Sequence, residues 1–89
     1  MPIPTYIDNM VLAAGVAETY TVPSGYKYAV LSGTSNFYIR VNAAAAVPST
    51  EVADGSGSFL NPSCLDIRGA TTISFISPVA CVVSIALFK

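Results

Sequence analysis

The chain contains no histidine, which removes the side chain most used as a general base near neutral pH and the commonest metal ligand. Ser-His-Asp and Cys-His constellations are excluded with it. There is no tryptophan, and the only cysteines are Cys64 and Cys81. They lack CxxC spacing and so carry no zinc motif, and no other feature marks a disulfide-dense secreted miniprotein. Both sit in apolar, strand-like stretches, where cysteine behaves as a small hydrophobe, and both are read as free buried thiols.

Charge is the second shortage. Only 10% of the 89 residues are charged, for a formal net charge of −1, where an ordinary soluble domain carries about 25%. The four cations, Lys27, Arg40, Arg68 and Lys89, are scattered and form no phosphate-binding stripe, so no nucleic-acid partner is expected. The carboxylates Asp8, Glu18, Glu51, Asp54 and Asp66 are dispersed as well. Glu51 and Asp54, beside the Asp54-Gly55 turn, could at best make a weak calcium site; a solvated turn is the stronger reading, because hard cations take about six or more oxygens. Glu18 with Glu51 is the only pair from separate parts of the chain that a glycosidase could use, and so small a domain has no room for a water-excluding cleft. The chain is expected to be no enzyme, with no catalytic residues, no cofactor and no metal.

Long apolar runs are the third. The strongest, from Ile73 to Phe88, is broken by Ser74, Ser77, Pro78 and Ser84 and falls short of the ~20 apolar residues a membrane helix needs. No Lys or Arg precedes Lys27, and Pro2, Pro4 and Asp8 interrupt any apolar leader, so neither a membrane partner nor a secretory signal is expected.

What remains is a chain 53% hydrophobic that can form one domain. A domain of this length buries only on the order of 60% of its unfolded surface, so it gains from being covered by neighbours. A neutral surface rich in Ser, Thr, Asn and Tyr suits a subunit whose faces are occupied. From Met10 onward, short segments rich in Val, Ile, Thr, Tyr and Phe recur about every ten residues, the pattern of an all-β domain. Strands are predicted at Met10 to Ala14, Glu18 to Val22, Tyr26 to Ser32, Asn36 to Asn42, Thr50 to Ala53, Ser58 to Asn61, Cys64 to Ile67, Thr71 to Ile76 and Val79 to Phe88. Pro23-Ser24-Gly25, Gly33-Thr34-Ser35, Asp54-Gly55-Ser56-Gly57, Arg68-Gly69-Ala70 and Ser77-Pro78 supply the turns between them. The expected fold is a small antiparallel β-sandwich or jelly-roll-like barrel of about eight strands over residues 10–89, preceded by an extended arm over 1–9.

Phe37, Ile39 and Val41 alternate with Asn36, Tyr38, Arg40 and Asn42, giving one core face and one outer face. Ile73 and Phe75 do the same more weakly. The last strand is apolar on both sides, with Val79, Cys81, Val83, Ile85 and Leu87 opposed to Ala80, Val82, Ser84, Ala86 and Phe88. Coverage on both faces is therefore expected, the second by a subunit contact or by the N-terminal arm. Pro2 and Pro4 favour extended backbone before Tyr6 and Ile7, in either an ordinary edge strand or an arm docked on a neighbour. Ala43 to Pro48 reads as a passive loop. Tyr20, Tyr26, Tyr28 and Tyr38 fall in neighbouring segments and suit packing or an interface better than stacking on sugar rings.

The segments Val22 to Tyr26, Ala29 to Asn42, Val47-Pro48, Asp54 to Ser56, Leu60 to Pro62 and Thr71 to Ile76 together resemble small virion proteins of tailed bacteriophages. The resemblance implies a compact β-sandwich that decorates and cements the head lattice, made in the host cytoplasm and resident on the capsid surface. Its partners would be itself, as a homotrimer, and a major capsid protein or other virion protein. A tail, baseplate or fibre subunit is the alternative within that resemblance, and a carbohydrate-binding module for host-surface recognition is a further one. The interface candidates are Tyr6 and Ile7 in the arm, Tyr38 and Arg40 on the outward side of their strand, and Phe88 and Lys89 at the C-terminus.

Overall fold

The computed structural model describes residues 6–89. Eight strands follow one another without a helix: β1 (Tyr6–Leu12), β2 (Glu18–Thr21), β3 (Tyr28–Gly33), β4 (Tyr38–Val41), β5 (Phe59–Leu60), β6 (Cys64–Asp66), β7 (Thr72–Ile76) and β8 (Cys81–Phe88). They form two four-stranded sheets, β1-β8-β3-β6 and β2-β7-β4-β5, with every ladder antiparallel. The first strand pairs with the last, the second with the seventh, the third with the sixth and the fourth with the fifth. The chain thus doubles back as one long hairpin, with its tip between β4 and β5. The β3·β8 and β4·β7 ladders roll that hairpin into two layers, which is the strand order of a jelly roll.

Alternation decides the core. Leu12, Ala29, Leu31, Cys81, Val83, Ile85 and Leu87 from the first sheet meet Tyr20, Phe37, Ile39, Ile73 and Phe75 from the second in one buried cluster, joined by Ile67. Phe75 is its hub, touching Phe37 at a 6.3 Å ring separation and Tyr20 edge-on at 6.5 Å, geometries that suit the quadrupoles of aromatic rings.

Two asparagines lock the ends of β4. Asn42, at φ 58°, accepts hydrogen bonds through Oδ1 from the Thr71 N–H (2.8 Å), the Thr71 hydroxyl (3.0 Å) and the Thr72 N–H (3.2 Å). Asn61, at φ 49°, accepts from the Phe37 N–H at 2.9 Å and donates to Asn36 Oδ1 at 2.9 Å. Asparagine tolerates the left-handed region because its side chain can satisfy local backbone groups.

Several boundaries differ from expectation. β1 spans Tyr6–Leu12 in register with β8, so Tyr6 to Asn9 of the segment set apart as an arm take the edge-strand alternative; residues 1–5 lie outside the described residues. Thr50 to Ala53 forms no strand. It lies in the tip loop between β4 and β5, which pair directly with each other. The cysteines are both free, but Cys64 is exposed while Cys81 is buried: β6 turns Cys64 outward beside Val30.

Coverage is also exchanged between strands. β7, not β8, is buried on both sides: Ile73 and Phe75 face the core, while Ser74 and Ile76 are buried on the outer side. The alanine-rich tip loop folds back there, with Ala45 only 5% exposed and its N–H donating to Ser74 Oγ at 2.9 Å. The alanine-rich part of the tip loop, anchored through the Ser74 hydroxyl, thus lies over its own sheet.

Close packing explains one glycine. A Cβ on Gly33 would lie 2.6 Å from the Phe37 ring. Gly33→Ala should therefore destabilise the fold by about 1–3 kcal/mol, the usual cost of forcing atoms into a filled core; thermal or denaturant unfolding of the variant measures it.

Candidate interaction surface

The same alternation that builds the core sets the outer face of the β1-β8-β3-β6 sheet. Ile7 lies beside Ala86, Val30 and Cys64; Asn9 beside Ser84 and Ser32; Val11 beside Val82. The apolar members stay open, with Ile7 57%, Val11 72%, Tyr28 41%, Val30 36% and Val82 39% exposed. Charge enters this face only at one corner. There Arg68 pairs with Asp66, donates through Nε to both of its carboxylate oxygens at 3.0 and 3.1 Å, and stands 5.7 Å from the centre of the Tyr28 ring. The guanidinium holds the Asp66 carboxyl below the usual carboxylate range, first through its hydrogen bonds.

No segment among the described residues lies across this face. The N-terminal strand, one of the two covers expected for β8, instead extends the sheet sideways along seven residue pairs, leaving Val82 open. Val79 and Ala80, read as the start of the last strand, precede β8.

The six candidate residues do not converge. Ile7 lies on the open face. Tyr6, its neighbour, points to the inner side at the sheet edge, where its ring packs 5.3 Å from that of Tyr26. Tyr38 and Arg40 are half-buried on the outer side of the other sheet, next to Ile76 and Ser74. Phe88 is 8% exposed, paired with Tyr28 and bonded through its carbonyl to the Lys27 N–H at 2.8 Å, so it packs against its own protomer. Lys89 is exposed, with Nζ 5.6 Å from the Tyr26 ring centre. Val11, the most exposed apolar side chain of this face, and with it Val30 and Val82, lay hidden in the sequence because their exposure depends on which strand is the edge and on what the tip loop covers.

Nor do the tyrosines form one platform. Tyr20 is buried in the core, Tyr26 packs at a tilt against Tyr6, Tyr28 lies under Arg68 and Tyr38 is on the opposite sheet. The larger depression, about 350 Å³, is walled by the turns at Pro23 to Tyr26 and Ile67 to Thr71. Arg68 is its sole charged side chain, and that group is already paired. A smaller one of about 190 Å³ lies between Gly33 and Asn61. Asp54 accepts from the N–H and hydroxyl of Ser56 in a closed local turn, which lowers its carboxyl, and no group of three or more potential metal ligands occurs among the described residues.

One polar contact joins the two layers at their open side. The Tyr20 hydroxyl of β2 donates to Asp8 Oδ2 of β1 at 2.6 Å. Burial, and then the hydrogen bond to that carboxylate, push the Tyr20 phenol well above its ordinary value of 10.0. A raised pKa in the folded state stabilises the fold fully below the unfolded value and loses that contribution as pH climbs above it. Stability should therefore fall from about pH 10 upward. Tyr20→Phe should flatten this alkaline limb while costing about 1.5–3 kcal/mol at neutral pH, the range for hydrogen bonds to charged groups; unfolding curves across pH measure both. Neither a protein-family model, nor a curated protein, nor a solved structure matches the chain at a significant level.

Proposed function

We propose that this protein is a virion structural subunit, of the capsid decoration or cement kind, that works by seating the outer face of its β1-β8-β3-β6 sheet on a neighbouring protein of the shell. The observation that carries the reading is the contrast between the two outer faces. One is covered over β7 by the chain's own tip loop, with Ala45, Ser74 and Ile76 buried, and leaves Leu60 open at its β5 edge. The other leaves Ile7, Val11, Val30 and Val82 open, with its only charges neutralised as a pair. The largest apolar patch of a typical soluble monomer is about 300–600 Å² and is often functional; the whole outer face of this sheet, its row of Asn9, Ser84 and Ser32 included, spans roughly 400 Å² at ordinary strand spacing and rise.

Magnitudes favour a repeated contact over a solitary one. Covering this face yields at most about 10 kcal/mol of gross hydrophobic free energy, the figure for roughly 400 Å² if all of it were apolar, and association itself costs about 4–15 kcal/mol. The balance is near zero for one pair of molecules. On a lattice, where each subunit touches several neighbours, the same contact becomes strong through effective concentration. The jelly-roll architecture supports this reading only as an analogy, since it serves coat subunits, lectins and cupins alike. The separated tyrosines disfavour the glycan-binding use, which needs adjacent exposed rings.

Val30→Lys with Val82→Lys should leave the fold intact, because both side chains point to solvent, and should reduce incorporation into particles at least tenfold. Virions lacking the wild-type protein should release their DNA at lower temperature than complete ones. Normal incorporation of the double variant would refute the face. Unchanged DNA retention would refute cementing and move the subunit to the tail or a fibre.

A further inference from the structure

The four sheet edges are unequal. β2, β5 and β6 offer four, two and three residues, and Pro62 lies between β5 and β6. Short strands and prolines are the usual protection against unwanted pairing. β1 differs on every count. It runs for seven residues in unbroken register with β8, without a bulge, proline or basic residue. Among the described residues its far side has no strand partner. Its one charge, Asp8, points inward and is engaged by the Tyr20 hydroxyl.

From this edge we infer that β1 pairs antiparallel with β1 of a second copy, about a two-fold axis through Asn9, joining two four-stranded sheets into one of eight. The sequence of the strand selects that register. Keeping the two core sides on one layer requires the axis to pass through a residue, since directly opposed side chains share a face. Centred on Asp8, the two carboxylates would stand directly opposite, which is unfavourable. Centred on Met10 or beyond, or on Ile7 or before, part of the strand overhangs. Centred on Asn9, all seven residues pair: Asp8 meets Met10, Tyr6 meets Leu12, and Ile7 meets Val11 on the outer face, where these are the two most exposed apolar side chains of β1. Asn9, exposed and uncharged, meets itself. Such a contact is isologous and closes at two protomers along this edge. It is independent of any role in a virion, and it doubles the width of the open apolar face.

The register is testable by cross-linking the full chain. In a Cys64→Ser background, which removes the exposed native thiol and leaves buried Cys81, Asn9→Cys places two thiols across the axis at about 4.5–5.5 Å between Cα atoms, inside the window for a disulfide. Mild oxidation should convert most of this variant to a covalent dimer. Ile7→Cys and Val11→Cys should each fail alone and form the dimer when mixed. Cross-linking of Asn9→Cys no greater than that of Glu51→Cys, in the exposed tip loop, would overturn the inference, as would sedimentation of the wild-type chain as a monomer up to millimolar concentration.

Discussion

Strand β8 hydrogen-bonds to β1 over seven residue pairs and to β3 over six, and its inward row of Cys81, Val83, Ile85 and Leu87 forms the middle of the core. The strand must therefore be apolar on that side. Its other side is also nearly free of polar groups, with Val82 and Ala86 flanking Ser84, and it continues through Ile7, Val11 and Val30 on the adjacent strands. A strand in an antiparallel sandwich needs only one apolar side to fold. The second apolar side is surplus to the fold, and the rest of the surface is arranged around it. Charges are placed elsewhere or paired at a corner, and the loop that could have covered a sheet covers the opposite one.

A few polar contacts that the burial pattern does not require fix β4, the tip loop and β2, and of these the Tyr20–Asp8 bond is the one that crosses between the layers. Asn42 and Asn61 fix both ends of β4, the strand next to the hairpin tip. Ser74 holds the tip loop, and Tyr20 ties β2 to β1 through Asp8. Each satisfies a donor or acceptor that the rolling of the hairpin would otherwise strand, the condition for burying backbone in so small a domain.

Much of this was legible in the chain. Two-residue alternation in 36–42 gave Phe37 and Ile39 their places in the core but not Val41, which is 40% exposed at the end of β4, and the Pro, Gly and Asp-Gly clusters marked real reversals. What alternation cannot express is which strand neighbours which. Residues 6–9, extended after Pro2 and Pro4, fitted either an edge strand or a docked arm, and only the pairing with β8 decides for the edge strand. Cys64 read as buried because its neighbours are apolar, but its register opposite outward-facing Val30 turns it out. Coverage of β7 depended on a contact between Ala45 and Ser74 that no local pattern announces. The roles of Asn42 and Asn61 carried a faint signal, an asparagine at the end of an apolar strand and one before a proline, and it gains meaning only when positive φ is seen. The open valines were hardest to find, since exposure is a property of the whole fold.

The exposed thiol of Cys64 lies in the same row as Val30 and Ile7 and reports directly on whether this face is covered, while Cys81 serves as the buried control. The decisive measurement is the rate of maleimide labelling of Cys64 in dilute free protein and in assembled particles. Rapid labelling in the first and strong protection in the second is the predicted result; equal rates in both would contradict the central claim that this sheet face works by being covered.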